Sequence, residues 1–161
     1  MLIREERRGD ADAVYAVVSS AFGQPAEADL VQALHAASDV VIALVAEVED
    51  CIVGHVLLSR MAAPFPSLAL APVSVASGRQ GIGIGSALVR EALRLATAEG
   101  SWRAVFVVGD PHYYKRFGFS VAAASGFSSP YAGEHFMGMA LSGPMPATSG
   151  ELHHSPAFSA L

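Results

Sequence analysis

The pattern of apolar and polar positions predicts one strand followed by two helices in the first 37 residues. Residues 2–8 alternate loosely and end at Gly9-Asp10, where the aspartate can cap a helix. Apolar residues then recur at helical spacing in two runs, which are Val14, Val17, Val18 and Ala21, and then Leu30, Val31 and Leu34. Gly23 and Pro25 separate the two runs, so we expect two consecutive helices.

Three β-rich runs come next, over residues 40–48, 52–61 and 67–75. A short acidic turn separates the first two, which is typical of an antiparallel hairpin. The third run contains Pro72. Proline has no N–H to give to a ladder, so one side of this strand is predicted to be unpaired and available to a ligand.

The rest of the pattern alternates between helix and strand. It predicts a helix over 86–99 that ends at Gly100, a strand over 104–108, a short helix from Asp110-Pro111 to Gly118, and strands over 119–124 and 136–141. Residues 142–161, called the C-terminal segment below, are rich in Pro and Gly and predict a loop. The complete order is β-α-α-β-β-β-α-β-α-β-β, a mixed α/β chain.

Composition narrows the choice of partners and of compartment. The 161 residues fit one domain, with 52% hydrophobic and 16% charged residues. A formal charge of −5 gives no attraction to nucleic acid or to an anionic membrane surface. No apolar run approaches the roughly 20 residues of a membrane span, and the charged N-terminus does not resemble a signal peptide. We therefore expect a cytoplasmic protein, and the single Cys51 fits that reducing compartment.

Candidate chemistry is concentrated in the segment from Gln80 to Ser86, which contains Gly81, Gly83 and Gly85 and leads from a strand into a helix. Glycines let the backbone pass close to a bulky anion, and the free N–H groups of a helix's first turn bind phosphate oxygens. A protein with a net negative charge can therefore still bind an anion. The spacing is G-x-G-x-G, unlike the G-x-G-x-x-G of a dinucleotide-binding turn, and the absence of a following Gly-Lys-Ser/Thr excludes a P-loop.

Two motifs resemble one family. The run Gln80-Gly81-Ile82-Gly83-Ile84-Gly85 is similar to the Q/R-x-x-G-x-G/A acetyl-CoA signature of the GNAT N-acetyltransferases. The run from Tyr113 to Phe119 resembles the tyrosine-to-Gly-Phe block that follows the fifth strand of those enzymes. Together with Leu70-Ala71-Pro72-Val73 and Gly109-Asp110-Pro111, these runs resemble the YhbS-like branch of predicted acetyltransferases, from the first strand to about Leu141.

The resemblance implies a fold and a set of ligand contacts. It implies the GNAT fold, a mixed and mostly antiparallel sheet of six to seven strands flanked by about four helices. It also implies acetyl-CoA as co-substrate, with its pantetheine arm along the strand over 73–75 and its diphosphate at the glycine turn. The residues assigned to the cofactor in this way are Val73, Ser74, Val75, Gln80, Gly81, Ile82, Gly83, Ile84, Gly85, Ser86, Tyr114 and Arg116.

By the same resemblance Tyr114 is the acid that protonates the departing thiolate, since a phenol remains protonated at neutral pH. An acceptor ammonium must also lose a proton, and the sequence leaves five candidates for the base. They are Glu27, His55, His112, Glu134 and His135. No metal is expected, because the pair His153-His154 lacks partner ligands at suitable spacing.

The function expected from this reasoning is transfer of an acetyl group from acetyl-CoA to a primary amine of a small molecule or a protein. Two alternatives stay open, an acyl-CoA-binding sensor without turnover and a nucleotide-binding oxidoreductase. The acetyltransferase domain is expected over residues 1–141, with the C-terminal segment packed on it or trailing from it. A homodimer is a reasonable expectation for the family.

Overall fold

The computed structural model describes residues 1–161 and is built around one six-stranded sheet. Its strands are β1 (Leu2–Glu5), β2 (Val40–Val48), β3 (Cys51–Met61), β4 (Ser67–Val75), β5 (Ala104–Val108) and β7 (Phe136–Ala140), while β6 (Phe127–Ser128) and β8 (Gly150–Glu151) form a separate parallel pair. The order in the large sheet is β1-β2-β3-β4-β5-β7, and only β4 and β5 run parallel. This confirms the predicted mixed, mostly antiparallel sheet.

Helices cover both faces of the sheet. They are α1 (Ala11–Phe22), α2 (Ala26–Ala36), α3 (Ile84–Glu99), α4 (Pro111–Tyr114) and α5 (Val121–Ala124). Successive side chains of a strand point to opposite faces, so Leu57 of β3 joins the core beneath α1 and α2 while Val56 and Leu58 join the core beneath α3. None of these helices is both long and apolar enough to cross a membrane.

The strand expected over residues 119–124 is wrong, because Val121–Ala124 form helix α5. The Ser120 hydroxyl accepts a hydrogen bond from the Ala123 N–H at 3.1 Å and caps this helix. Three alanines follow Val121, and alanine has the highest helix propensity. Only Ser120 keeps a strand-like contact, an isolated bridge to Gly138.

The C-terminal segment folds back against the end of β3 and against α2. The backbones of His153 and Ala62 exchange two hydrogen bonds of 2.9 Å. The Ser155 hydroxyl donates to a carboxylate oxygen of Asp39 at 2.6 Å. Phe158, in a 3₁₀ turn over Pro156–Ala160, is buried in the same core as α1 and α2. These contacts hold the C-terminal segment on the side of the sheet that α1 and α2 cover.

A buried acidic side chain links the N-terminal strand region to β3. The Glu6 side chain is 8% exposed, and its two carboxylate oxygens lie 2.6 Å from His55 Nε2 and 2.7 Å from His35 Nε2. His55 is fully buried. Burial raises the pKa of Glu6, but the hydrogen bond from His55 and the charges of both histidines outweigh it, so the pKa lies below its usual 4.5. Folding therefore favours the ionised carboxylate.

We predict that Glu6→Ala lowers the free energy of unfolding by about 3 kcal/mol at pH 7, because His55 then has no partner inside the core. A group whose pKa is depressed by folding contributes stability above its unfolded pKa, and this contribution disappears as the pH falls through the lower folded value. The difference between wild type and variant should thus shrink as the pH falls below about 4.5.

Urea unfolding of both proteins at several pH values measures this difference. Glu5→Ala is the matched control, because Glu5 is an exposed glutamate next to Glu6 in the chain. Its effect should remain within about 0.5 kcal/mol at every pH. Equal effects of the two substitutions would contradict a structural role for the carboxylate at position 6.

Candidate active site

The sheet opens between β4 and β5. Their parallel pairing lasts for only three residue pairs, from Ser67 opposite Ala104 to Ala69 opposite Phe106. Beyond Ala69 the strands part, and an irregularity in the β3–β4 register falls at the same level, around Leu57. The second half of β4 is therefore open on the side of β5, in agreement with the expectation from Pro72.

The segment from Gln80 to Ser86 connects this open edge to the head of α3. Gly81 and Gly83 adopt left-handed conformations with φ of 80° and 92°, which other residues rarely adopt. α3 begins at Ile84, two residues earlier than predicted. The Gln80 side-chain amide donates to the Val75 carbonyl at 3.0 Å and so ties the turn to the end of β4. The first residues of the 16-residue helix α3, whose N–H groups have no partner within the helix, line the same groove as Val73 and Val75 of β4.

A groove of about 440 Å³, called the anion groove below, lies between β4, the head of α3 and α4. Its lining residues are Val73, Val75, Arg79, Gln80, Gly81, Gly83, Ile84, Gly85, Ser86, Tyr113, Tyr114 and Arg116. Two of them are arginines and none carries a carboxylate. The arginines and the positive end of the α3 dipole therefore make this groove attractive to an anion on a chain whose net charge is −5.

Most residues that the sequence assigned to the cofactor line this groove. The exceptions are Ser74 and Ile82. The Ser74 side chain is buried on the other side of β4 with its hydroxyl unpartnered, and Ile82 is 69% exposed outside the lining. Arg79 and Tyr113 also line the groove, although neither is among the residues assigned to the cofactor from the sequence. No motif marks Arg79, because the 3₁₀ turn over Ser77–Arg79 brings it to the groove.

The tyrosine block forms the wall opposite β4. Asp110 caps α4 by accepting a hydrogen bond from the His112 N–H. The hydroxyl of Tyr113 lies 3.1 Å from that of Ser86, and the Arg116 guanidinium stacks 4.4 Å from the centre of the Tyr113 ring. α4 is thereby attached to the first turn of α3. This contact joins the two motifs that the sequence presents separately.

Tyr114, which also lines the anion groove, is closely packed by its neighbours. Its ring packs edge-on against Phe119 and against Tyr113, and Gly109 leaves room for it, since a Cβ at that position would collide with the ring. Burial raises the pKa of Tyr114 to about 12, with a smaller contribution from Tyr113. The phenol is therefore protonated at any physiological pH, as a proton donor must be.

A second cavity of about 460 Å³, called the apolar cavity below, adjoins the anion groove, and Val73 and Tyr114 line both. It lies between α1, α2, the parted strands and the C-terminal segment. Thirteen of its sixteen lining residues are hydrophobic. The sequence carried no motif for this cavity, and the C-terminal segment, expected to be loop, contributes His154 and Phe158 to its wall.

The five candidate bases lie in different parts of the structure. Glu27 lines the apolar cavity, where the Gln24 side-chain amide donates to its carboxylate at 3.0 and 3.1 Å. The fully buried His55 is bound to Glu6, away from both cavities. The other three candidates, His112, Glu134 and His135, are exposed and line neither cavity. No group of three His, Cys, Asp or Glu side chains is arranged to hold a metal ion.

Comparisons with known proteins agree with this geometry. Residues 11–119 match the model of the acetyltransferase (GNAT) family. Two Escherichia coli K12 proteins, the uncharacterised N-acetyltransferases YjhQ and YhbS, are each 35% identical to this chain. The YjhQ match covers 77% of this chain and 72% of the relative, and the YhbS match covers 76% and 75%.

Solved structures give the same result. A GNAT acetyltransferase from Brucella melitensis in complex with acetyl-CoA has a TM-score of 0.83 and 33% identity, and the match covers 98% of this chain and 97% of that one. Escherichia coli YhbS in complex with CoA has a TM-score of 0.90 and 28% identity, with coverage of 98% and 91%. These matches favour the acetyltransferase over the nucleotide-binding oxidoreductase. The chain belongs to the GNAT family of acetyltransferases.

Proposed function

We propose that this protein transfers the acetyl group of acetyl-CoA directly to a primary amine. The observation that carries the proposal is the anion groove, which joins the unpaired edge of β4 to the head of α3 and contains two arginines and no carboxylate. The diphosphate of coenzyme A fits there, on the N–H groups between Gln80 and Ser86. The complexes of the Brucella melitensis and Escherichia coli proteins with acetyl-CoA and CoA support acetyl-CoA as the co-substrate.

The open edge of β4 is suited to the pantetheine arm and the thioester. The N–H and C=O groups of one strand residue point to the same side, and Gln80 already binds the Val75 carbonyl from the groove. The Val75 N–H therefore faces the groove as well. We assign to this N–H the polarisation of the thioester carbonyl, an oxyanion-type contribution of a few kcal/mol.

Tyr114 is positioned to act as the acid. When the amine nitrogen attacks the acetyl carbon, a C–N bond forms and the C–S bond breaks, and the electron pair leaves with sulfur. Tyr114, which lines both cavities, donates its hydroxyl proton to this thiolate, and the proton that the new amide nitrogen loses returns to the Tyr114 oxygen.

We assign the removal of the ammonium proton to Glu27, directly or through water. Glu27 is the one candidate base that lines either cavity, and its carboxylate is held by Gln24. A carboxylate beside an apolar wall accepts a proton from an ammonium that lies between the carboxylate and the wall.

A sensor that binds acetyl-CoA without turnover is the second candidate, since the anion groove alone is sufficient for binding. The presence of Tyr114 and of an adjoining cavity favours the enzyme. We also propose that the C-terminal segment belongs to the same domain as residues 1–141, on the strength of its contacts with Ala62 and Asp39. The homodimer and the cytoplasmic location stay predictions.

Ligand binding is tested first by thermal unfolding. Acetyl-CoA at a hundred times its dissociation constant should stabilise the protein by about 2.7 kcal/mol, whereas NAD at the same concentration should leave the melting temperature unchanged. Free-thiol release from acetyl-CoA in the presence of amines then separates the enzyme from the sensor. Stabilisation without thiol release from any amine would favour the sensor.

The position of the diphosphate is tested by Ser86→Glu. Ser86 lines the anion groove in the first turn of α3, where a glutamate is favourable for the helix itself. Its charge should repel the diphosphate and weaken CoA binding by at least about tenfold, which is 1.4 kcal/mol. Ser86→Gln is the control of the same size without the charge. Equal CoA affinities of the two variants, measured by calorimetry, would place the diphosphate elsewhere.

The role of Tyr114 is tested by Tyr114→Phe, which removes one hydroxyl and keeps the ring packing. We expect kcat to fall by about a hundredfold while the dissociation constant of acetyl-CoA changes by less than about twofold. Tyr113→Phe is the control, because its hydroxyl contacts Ser86 and not the apolar cavity. A Tyr114→Phe enzyme with unchanged kcat would remove this residue from the chemistry.

A further inference from the structure

The apolar cavity is where an acceptor meets the acetyl group, if the proposed function holds. It shares Val73 and Tyr114 with the anion groove, so a molecule inside it reaches the end of the pantetheine arm. Its volume of about 460 Å³ lies within the range of small-molecule sites. The cavity's own chemistry therefore selects the acceptor.

The wall of this cavity is mainly aromatic and aliphatic. Phe22 of α1, Leu30 of α2, Phe106 of β5, and Tyr131 and Phe158 further along the chain all face it. Apart from the Tyr131 hydroxyl, these side chains offer no hydrogen bonds to a polar chain, so a hydroxylated or amide-rich acceptor would lose most of its hydration without compensation. An apolar body of aromatic size gains from leaving water.

The charge of the cavity has one sign. Glu27 is the only acidic side chain in its lining, and neither lysine nor arginine lines it. His154 packs edge-on between the rings of Tyr131 and Phe158, with centroids 4.8 and 5.0 Å away. Burial lowers the pKa of His154 to about 4, so the ring is neutral at physiological pH. An ammonium is therefore attracted, and a carboxylate on the acceptor has no partner.

The wall is also rigid. His154 and Phe158 belong to the C-terminal segment, which is fixed by the two hydrogen bonds between His153 and Ala62 and by the bond from Ser155 to Asp39. A preformed wall discriminates between acceptors without the cost of ordering it on binding. These residues lie beyond Phe119, where the family match ends.

We propose that the acceptor is a primary amine on an apolar body of aromatic size that carries no carboxylate, an arylalkylamine in chemical class. The ammonium lies beside Glu27 and the ring lies among Phe22, Phe106 and Phe158. This inference rests on the proposed function and adds the class of substrate to it.

Three amines test the proposal through the rate of free-thiol release from acetyl-CoA. 2-Phenylethylamine has the proposed features, phenylalanine adds only a carboxylate to the same skeleton, and spermidine has amines without a ring. We expect kcat/KM for 2-phenylethylamine to exceed that for either of the others by about a hundredfold. Equal or faster turnover of phenylalanine or spermidine would overturn the inference and leave the acetyltransferase standing. No turnover of any amine, with acetyl-CoA still bound, would reject both.

Glu27→Gln isolates the contribution of the charge. The ratio of kcat/KM between 2-phenylethylamine and phenylalanine cancels any loss of a base that both substrates share. We expect this ratio to fall about tenfold in Glu27→Gln and to be largely retained in Glu27→Asp. Asp29→Asn is the matched control, because Asp29 lies on the same helix but outside the cavity and binds Tyr15. An unchanged ratio in Glu27→Gln would contradict the proposed discrimination by Glu27 against an acceptor that carries a carboxylate.

Discussion

The parting of β4 and β5 is the constraint on which the site depends. A strand in the middle of a sheet normally has both of its sides paired, because buried backbone groups need hydrogen-bond partners. Here the parallel pairing ends at Ala69, and the following residues of β4 are free on one side. The cost of this opening is offset where a ligand supplies the missing partner. Both cavities meet at this gap, where Val73 and Tyr114 line each of them.

Two neighbouring sites with opposite electrostatic properties follow from this arrangement. The anion groove combines the head of α3 with Arg79 and Arg116, and it contains no acidic side chain. The apolar cavity has one acidic side chain and no lysine or arginine. In the proposed function, the anionic cofactor and the cationic acceptor thus lie on the two sides of Tyr114. This separation would allow a protein of net charge −5 to bind both.

The packing around the gap has to be rigid, because the sheet is interrupted there. Two cores on opposite faces of the sheet supply this rigidity, one beneath α1 and α2 and the other beneath α3. β3 crosses between them beside β4, and its buried His55 lies directly across from Ser74 and is bound to Glu6. The network of Glu6 with His55 and His35 therefore stabilises the strand next to the open edge. The three residues of this network line neither the anion groove nor the apolar cavity.

The sequence by itself determined the order of elements from β1 to α4 and the glycine turn of the anion groove. Hydrophobic periodicity gave the two first helices and the hairpin, and the residues from Gln80 to Ser86 gave the turn, because positive φ angles and a helix start are local properties. The strand predicted over residues 119–124 is wrong, because Ser120 caps helix α5 and the alanines that follow favour a helix.

The apolar cavity could be recognised only from the tertiary structure. Its wall joins α1, α2, β5 and the C-terminal segment, and the contacts that bring them together, such as Ser155 with Asp39, span up to 116 residues of the chain. The choice of Glu27 among five candidate bases has the same origin, since only folding shows which carboxylate faces the gap. A local motif encodes backbone conformation, whereas contacts between distant segments depend on how the whole core packs.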